Sequence, residues 1–316
     1  MASPNSSKRR GGFGSCEAAG VAVAEFCRIS AVNIIQTYMQ STTQSAKAEL
    51  FRSLHRGPKI LVLPNAWDVA SARIFEEAGA SAIATTSAGV AFTLGYPDGQ
   101  KIPREEMLAV VARIAGKVKL PVTADVESGY GKRPEDAART AVAVIEAGAV
   151  GLNLEDANHE NERSLVELPV QLEKIQAVRG AGSRIGVALV INARTDVYLE
   201  QIGAPESRYD ETVRRLSAYR DAGADCLFAP GIRDRDTIAR LVRDLRHPLN
   251  ILVGPGSPPI PELQKLHVAR VSLGSSAMRA TLGLAKKIAG EVLTSGTYGT
   301  LEDAPPHLDV NRMMSA

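Results

Sequence analysis

Apolar residues along this chain fall in short unbroken runs set between longer amphipathic stretches. The runs are KILVLPN (59–65), SAIATT (81–86), LPVTADV (120–126), AVGLNLE (149–155), IGVALVINAR (185–194), DCLFAP (225–230), NILVG (250–254) and RVSLG (270–274). Runs that do not alternate with polar residues describe strands buried on both faces, which requires helices covering a parallel sheet. The stretches between them carry helical periodicity, predicting helices over 68–79, 103–116, 134–148, 169–182, 209–223, 235–245, 260–267 and 275–290, after a lead-in helix over 46–55. Each predicted strand is thus followed by a helix, eight times over.

Three helix ends repeat one idiom: EEAGAS (76–81), IEAGAV (145–150) and RDAGAD (220–225). Glycine there supplies a left-handed cap, and the chain turns at once into the next strand. Similar units in succession, each crossing over right-handed, close into a (β/α)8 TIM barrel. A doubly wound sheet is the competing α/β architecture. No Gly-x-Gly-x-x-Gly follows the first strand, and all eight units fit within residues 47–290, so the barrel is the expectation. The rest divides into an N-terminal extension over 1–46, disordered or loosely docked, and an irregular C-terminal tail or subunit arm over 291–316. Met39 is a second candidate start. An organelle-targeting segment is the other reading of the extension, since Lys8, Arg9, Arg10 and Arg28 outnumber Glu17 and Glu25; the expected location is otherwise cytoplasmic.

Composition removes several function classes. Lys plus Arg is 37 against 35 Asp plus Glu, and aromatics are 4%. A near-neutral chain poor in aromatics offers no footprint for nucleic acid. No run of eighteen apolar residues predicts a membrane span. The three cysteines, Cys16, Cys27 and Cys226, form no CxxC pair, which argues against a disulfide framework or a cysteine-rich zinc site.

In such a barrel the chemistry sits at the carboxyl ends of the strands. Acids converge there from neighbouring strands: Asp125 and Glu127 after the third strand, Glu155 and Asp156 after the fourth, with Asp98 added by the loop after the second. Crowded carboxylates raise one another's pKa, and a divalent cation removes that cost. All-oxygen ligation favours Mg2+, or Mn2+, over zinc. The alternative is that Asp125 and Glu155 cap helices or pair with arginines. Arg194, ending the fifth strand, is the candidate clamp for a substrate carboxylate or phosphonate; an ion pair with Asp196 or Glu155 is its other reading. Ser87, Ala88 and Gly89 offer backbone N–H groups to a second anionic oxygen. Trp67 walls the pocket or packs under a loop. His159 is a candidate acid or base or a solvent-exposed side chain, and Tyr96 is a further proton-donor candidate.

LPNAWDVASARIFEEAG, ATTSAGVAFTLGYPDG, TADVESGYG, GLNLED and ARTD, in that order at successive strand ends, resemble the isocitrate lyase and phosphoenolpyruvate mutase superfamily over about residues 47–290. The resemblance implies a Mg2+-dependent barrel, a dimer or tetramer that swaps its eighth helix. It implies metal-site acids at Asp98, Asp125, Glu127 and Glu155, a carboxylate-gripping Arg194 and an oxo-acid loop at Ser87, Ala88 and Gly89. The implied substrates are small 2-oxo or 2-hydroxy acids or phosphonopyruvates, reacting through a pyruvate-like enolate.

Two departures narrow this. The loop after the fourth strand reads EDANHENERSLVELP, without the Lys-Lys-Cys-Gly-His motif of the lyases or the lysine of the mutases, and Pro230 stands where relatives place a glutamate or histidine. The expectation is a lyase that cleaves a C–C bond of a small di- or tricarboxylic acid, of the oxaloacetate decarboxylase or methylisocitrate/dimethylmalate lyase type. Phosphonate P–C chemistry is the first alternative. A barrel that binds ligand without turnover is the second.

Overall fold

Pro64 interrupts the first strand. It has no N–H to give a sheet ladder, and the strand splits into β1 (Leu61–Leu63) and β2 (Asn65–Ala66). β1 pairs with the last strand, β9 (Arg270–Ser272), while β2 pairs with β3 (Ile83–Thr85). The broken strand thereby closes the sheet on itself. Between those ends run β4 (Val122–Asp125), β5 (Gly151–Glu155), β6 (Val190–Arg194), β7 (Cys226–Phe228) and β8 (Leu249–Leu252), in the order β1-β9-β8-β7-β6-β5-β4-β3-β2 and parallel throughout. Nine segments therefore occupy the eight strand positions of a (β/α)8 barrel. The computed structural model describes Met1, residues 43–160 and residues 163–315. The expected extension lies outside the described residues except for Met1 and residues 43–46. Residues from Gln44 onward make up the unit that holds the barrel.

Each strand is followed by its helix: α2 (Val69–Glu77), α4 (Arg104–Ala115), α5 (Pro134–Glu146), α6 (Leu168–Ile185), α7 (Arg208–Asp221), α8 (Arg235–Leu245), α9 (Ile260–Lys265) and α10 (Ser276–Thr294). The three AG idioms end as expected, with Gly79, Gly148 and Gly223 at φ of 90°, 85° and 104°. Helix α6 runs further than its pattern suggested, to Ile185, and Gly186 (φ 82°) caps it. The fifth strand position consequently starts at Val190 rather than Ile185. The lead-in helix, α1 (43–54), is tied to the barrel by Gln44, whose Nε2 donates to the carbonyls of Ile145 (2.8 Å) and Ala149 (2.9 Å). Phe51 of α1 is completely buried, and a Cβ added at Gly151 would lie 2.9 Å from its ring. The lack of a side chain at Gly151 makes room for this contact.

Two regions differ from expectation. Residues 87–93, read as part of a loop, form α3 (Ser87–Thr93), because Thr86 caps it: the Thr86 hydroxyl accepts from Gly89 N at 3.3 Å. The expected irregular tail carries regular structure. Helix α10 runs on to Thr294, and α11 (His307–Ser315) packs on α2, where Arg73 Nε donates to the Met313 carbonyl at 3.0 Å. Among the described residues no helix is long and apolar enough to cross a membrane.

Candidate active site

The ends of β4, β5 and β6 deliver Asp125, Glu155 and Arg194 to one face. The parallel register sets Glu155 directly beside Arg194, so their side chains leave adjacent strands on the same side. Arg194 Nη1 lies 2.8 Å from Glu155 Oε2, while its Nε (2.5 Å) and Nη2 (2.9 Å) grip both oxygens of Asp196. Of the five N–H donors of a guanidinium, three face these carboxylates, leaving one on Nη1 and one on Nη2. The outer edge of the fork is therefore available to a ligand. Burial opposes the cation, but Asp196 and Glu155 more than offset it and hold Arg194 protonated.

Behind Arg194 lies a buried acidic and histidine cluster. Ligand atoms of Glu127, Glu155 and His159 sit within 4.8 Å of one another. His159 Nε2 is 2.9 Å from Glu155 Oε1 and 3.7 Å from Glu127 Oε2. These contacts, like that of Arg194 Nη1 with Glu155 Oε2, are close ion pairs but not aligned as hydrogen bonds, so Glu155 Oε2 and His159 Nε2 have no hydrogen-bond partner among the described residues. Burial, then Glu155, Asp125 and Asp98, push the Glu127 carboxyl up to about 9. Burial also raises Glu155, against the pull of Arg194. Two carboxylates and an imidazole converging with unsatisfied atoms fit a divalent cation, which takes up the repulsion among them. The cluster can hold a divalent metal ion and is suited to metal-assisted catalysis.

Glu127 is placed by a local device. It sits at φ 51° and accepts at Oε2 from the backbone N–H of Gln100, itself at φ 55°. The Gln100 amide also accepts from Tyr130 N at 2.7 Å and donates to Ser128 Oγ. The loop after β3 is thereby clipped to the loop after β4.

The structure separates the expected site residues. Glu127, Glu155, His159 and Arg194 come together, and Asp98 and Ser87 line the same cavity of about 440 Å3. An adjoining cavity of about 370 Å3 shares Ser87, Asp98 and Arg194 and adds Ala88, Asp125, Asn153 and Phe228. Asp98 stands at the rim, exposed, outside the Glu–Glu–His set. Asp125 is likewise not in that set; it accepts at Oδ2 from Ser87 N (3.0 Å) and Oγ (2.8 Å), and at Oδ1 from Asn153 Nδ2 (3.3 Å). The cap at Thr86 and the acceptor at Asp125 take the N–H groups of Gly89 and Ser87, so those two amides are not free for an anion. Gly89 serves close packing: a Cβ there would lie 2.5 Å from Thr86 Cγ2 and 3.1 Å from Trp67 Cβ. Trp67 packs edge-on to Phe75 at 6.4 Å, away from both cavities. Tyr96 points its hydroxyl at Glu106 (3.1 Å) on the surface.

Asp156 turns inward instead. It accepts from Thr195 Oγ1 (2.7 Å), Asp196 N (2.9 Å), Tyr219 OH (2.6 Å) and Arg215 Nη1 (3.2 Å), and so holds Asp196 under Arg194.

The sequence profile described as phosphoenolpyruvate phosphomutase matches residues 51–293. The chain belongs to the phosphoenolpyruvate mutase family. An uncharacterized protein of Mycobacterium tuberculosis is 37% identical over 232 residues, covering 73% of this chain and 84% of its own. A solved chain from Burkholderia cenocepacia J2315 is 39% identical with a TM-score of 0.81, covering 87% of this chain and 98% of that one. Oxaloacetate acetylhydrolase, solved with its product oxalate, is 26% identical with a TM-score of 0.77, covering 86% and 94%. The wider phosphoenolpyruvate mutase and isocitrate lyase superfamily includes lyases and phosphonate enzymes alike, and the buried Glu127–Glu155–His159 cluster places this chain among its enzymes.

Proposed function

We propose that this protein is a Mg2+-dependent lyase that cleaves a C–C bond of a small 2-oxo or 2-hydroxy di- or tricarboxylic acid and leaves a pyruvate-like enolate. The observation that carries the reading is the free outer edge of Arg194 standing beside the Glu127–Glu155–His159 cluster. One group binds a carboxylate, the other a cation. Bound there, the cation supplies Lewis-acid polarisation of the substrate's oxo group. Arg194 orients the carboxylate through its two remaining donors, and Asp196 keeps the fork from turning. Ser87 lines the same cavity, and Asp125 lines the adjoining one. With Tyr96 turned to the surface, His159, which borders both the cluster and solvent, either ligates the cation through Nε2 or delivers the proton, and His159→Ala separates the two roles. Decarboxylation of an oxaloacetate-like acid needs no strong protein base. It suits a loop that reads EDANHENERSLVELP, with neither cysteine nor lysine. Mg2+ is the expected ion; the imidazole in the donor set also suits Mn2+.

The oligomer expected of the family, dimer or tetramer, finds support in α10. Only Met278 of that helix is buried, and Leu282, Leu284, Val292 and Leu293 are exposed, as a helix exchanged with a second copy would leave them.

The test is proton NMR of the protein with Mg2+ and a panel of oxaloacetate, 2-methylisocitrate, 2,3-dimethylmalate and phosphonopyruvate. Consumption of a C–C substrate above the free-metal rate, lost with EDTA, is expected. Consumption of phosphonopyruvate alone establishes P–C chemistry instead, and no turnover by a metal-loaded protein establishes a binding barrel.

A further inference from the structure

Arg270 opens β9 in the interior of the barrel, with Leu61 and Asn250 as its Cα partners on either side. It is completely buried. Its side chain makes one hydrogen bond among the described residues, from Nη2 to Asn153 Oδ1 at 3.4 Å, and Nε and Nη1 have none. Burial, partly offset by Cys226 and Asp125, lowers its pKa to about 10, so it stays charged at neutral pH. A buried cation without an ion-pair partner costs several kcal/mol. An apolar side chain would fill the space without that penalty, so the charge is best explained by an electrostatic task.

The task is legible in the chain of contacts above it. Asn153 Oδ1 receives Arg270 Nη2 at 3.4 Å and Asn192 Nδ2 at 2.8 Å. Asn153 Nδ2 therefore faces Asp125 Oδ1, at 3.3 Å. An asparagine amide can turn over and exchange its oxygen for its nitrogen. Asn192 can turn over as well, and its own Oδ1 has no partner to prevent it. Arginine cannot, because every polar atom it has is a donor. Of the three residues below Asp125, only Arg270 imposes a direction, and it is the one that the acceptor-only carboxylate of Asp125 requires from above. Turned over, Asn153 would set a carbonyl oxygen against the carboxylate of Asp125, and the carboxylate would swing away from the cavity it lines.

We propose that Arg270 is a positioning residue that fixes the amide of Asn153 and, through it, holds Asp125 in place on the catalytic face. The proposal rests on the reading of that face as a metal and carboxylate site only for its functional consequence. The geometric part stands apart from it.

Two measurements on the full chain test this. The first is the crystal structure of Arg270→Met and Arg270→Lys beside the wild type. The methionine variant is expected to lose the Asp125–Asn153 contact, with Asp125 turned to a new rotamer, and the lysine variant, also a pure donor, to keep it. The second is Mn2+ binding by electron paramagnetic resonance. Loss of an outer contact at a metal site costs about 10- to 100-fold in affinity, so Arg270→Met is expected to bind at least about tenfold more weakly, and Arg270→Lys within about threefold of wild type. The melting temperature of Arg270→Met should be unchanged or higher, since an unpaired buried charge is gone. Asn153→Leu and the double variant should bind Mn2+ equally. Additive losses, wild-type binding by Arg270→Met, or an equal loss in Arg270→Lys overturn the proposal. If the wild type binds no Mn2+, the metal reading falls. The crystal structures then decide alone, and an intact Asp125–Asn153 contact in Arg270→Met overturns the positioning claim.

Discussion

Replacing Arg194 with methionine separates its two roles. The guanidinium lies between Glu155 and Asp196, whose side chains are only 4% and 1% exposed. Removing it leaves two buried carboxylates uncompensated, and breaking a buried pair in this way costs about 3–5 kcal/mol. For a chain of this size that is a fall in melting temperature of roughly 5–8 °C. The fall should shrink toward acid pH, because Glu155, already raised by burial, then loses the arginine that opposes the rise and takes up a proton. The second role is ligand binding through the free outer edge. Each charge-assisted hydrogen bond lost is worth about 1.5–3 kcal/mol, or 10- to 100-fold in Kd. Isothermal calorimetry with oxalate, at saturating Mn2+, reads that loss. Mn2+ affinity itself is the control. A positive charge 2.8 Å from Glu155 repels the ion, so Arg194→Met should bind Mn2+ as tightly as wild type or more so. Oxalate affinity within twofold of wild type refutes the assignment of Arg194 as the carboxylate clamp. A parallel collapse of Mn2+ affinity shows that the variant damages the fold rather than the clamp.

Three further outcomes follow from the same geometry. Glu155→Gln should lower Mn2+ affinity by more than the ~10- to 100-fold expected for an outer contact; His159→Ala should do the same if the imidazole is a ligand, and should lower turnover at unchanged Mn2+ affinity if it only carries the proton. Glu127 sits at about 9 when folded and at an ordinary 4.5 otherwise, so the metal-free folded protein holds a proton that the unfolded chain releases. Its contribution to stability is complete below the lower value and lost as pH rises through the upper one; thermal melts in EDTA should weaken across that window, less so in Glu127→Gln, and Mn2+ affinity should rise with pH as the proton is displaced. Asp156→Ala lies outside both cavities yet removes four buried hydrogen bonds, including those that hold Thr195 and Asp196. It should lower stability by about 3–5 kcal/mol in chemical denaturation, with oxalate binding weakened through the loosened Asp196.

The barrel was legible because its signal is repeated: eight apolar runs and three AG caps all point to one architecture. Glu155 and Arg194 were legible because a charge ending a buried strand can lie only at the carboxyl face. Their ion pair needed the register of β5 against β6, which no local pattern carries. That His159 stands with Glu127 and Glu155 was hidden for a similar reason. The loop after β5 brings the imidazole back over Glu155, and a loop's path is not periodic. Ser87 and Gly89 looked like free amides because small residues signal close approach, but Thr86 winds them into a helix. Gln100 was missed because its role depends on left-handed backbone at a non-glycine residue. Asn153, Asn192 and Arg270 did leave a trace, as polar residues inside otherwise apolar runs. Tyr96 and Trp67 belong to the neighbouring apolar cluster with Val90, Ala91, Ile102 and Met107, which the position of Tyr96 in the GYPDGQ loop and of Trp67 at a strand end concealed.

The most direct test is a crystal structure grown with Mn2+ and oxalate, with data collected at the manganese absorption edge. The account predicts one strong anomalous peak among Glu127, Glu155 and His159, and oxalate reaching from that ion to the outer edge of Arg194. A peak at Asp98 and Asp125 instead, or oxalate bound with Arg194 untouched, would contradict it.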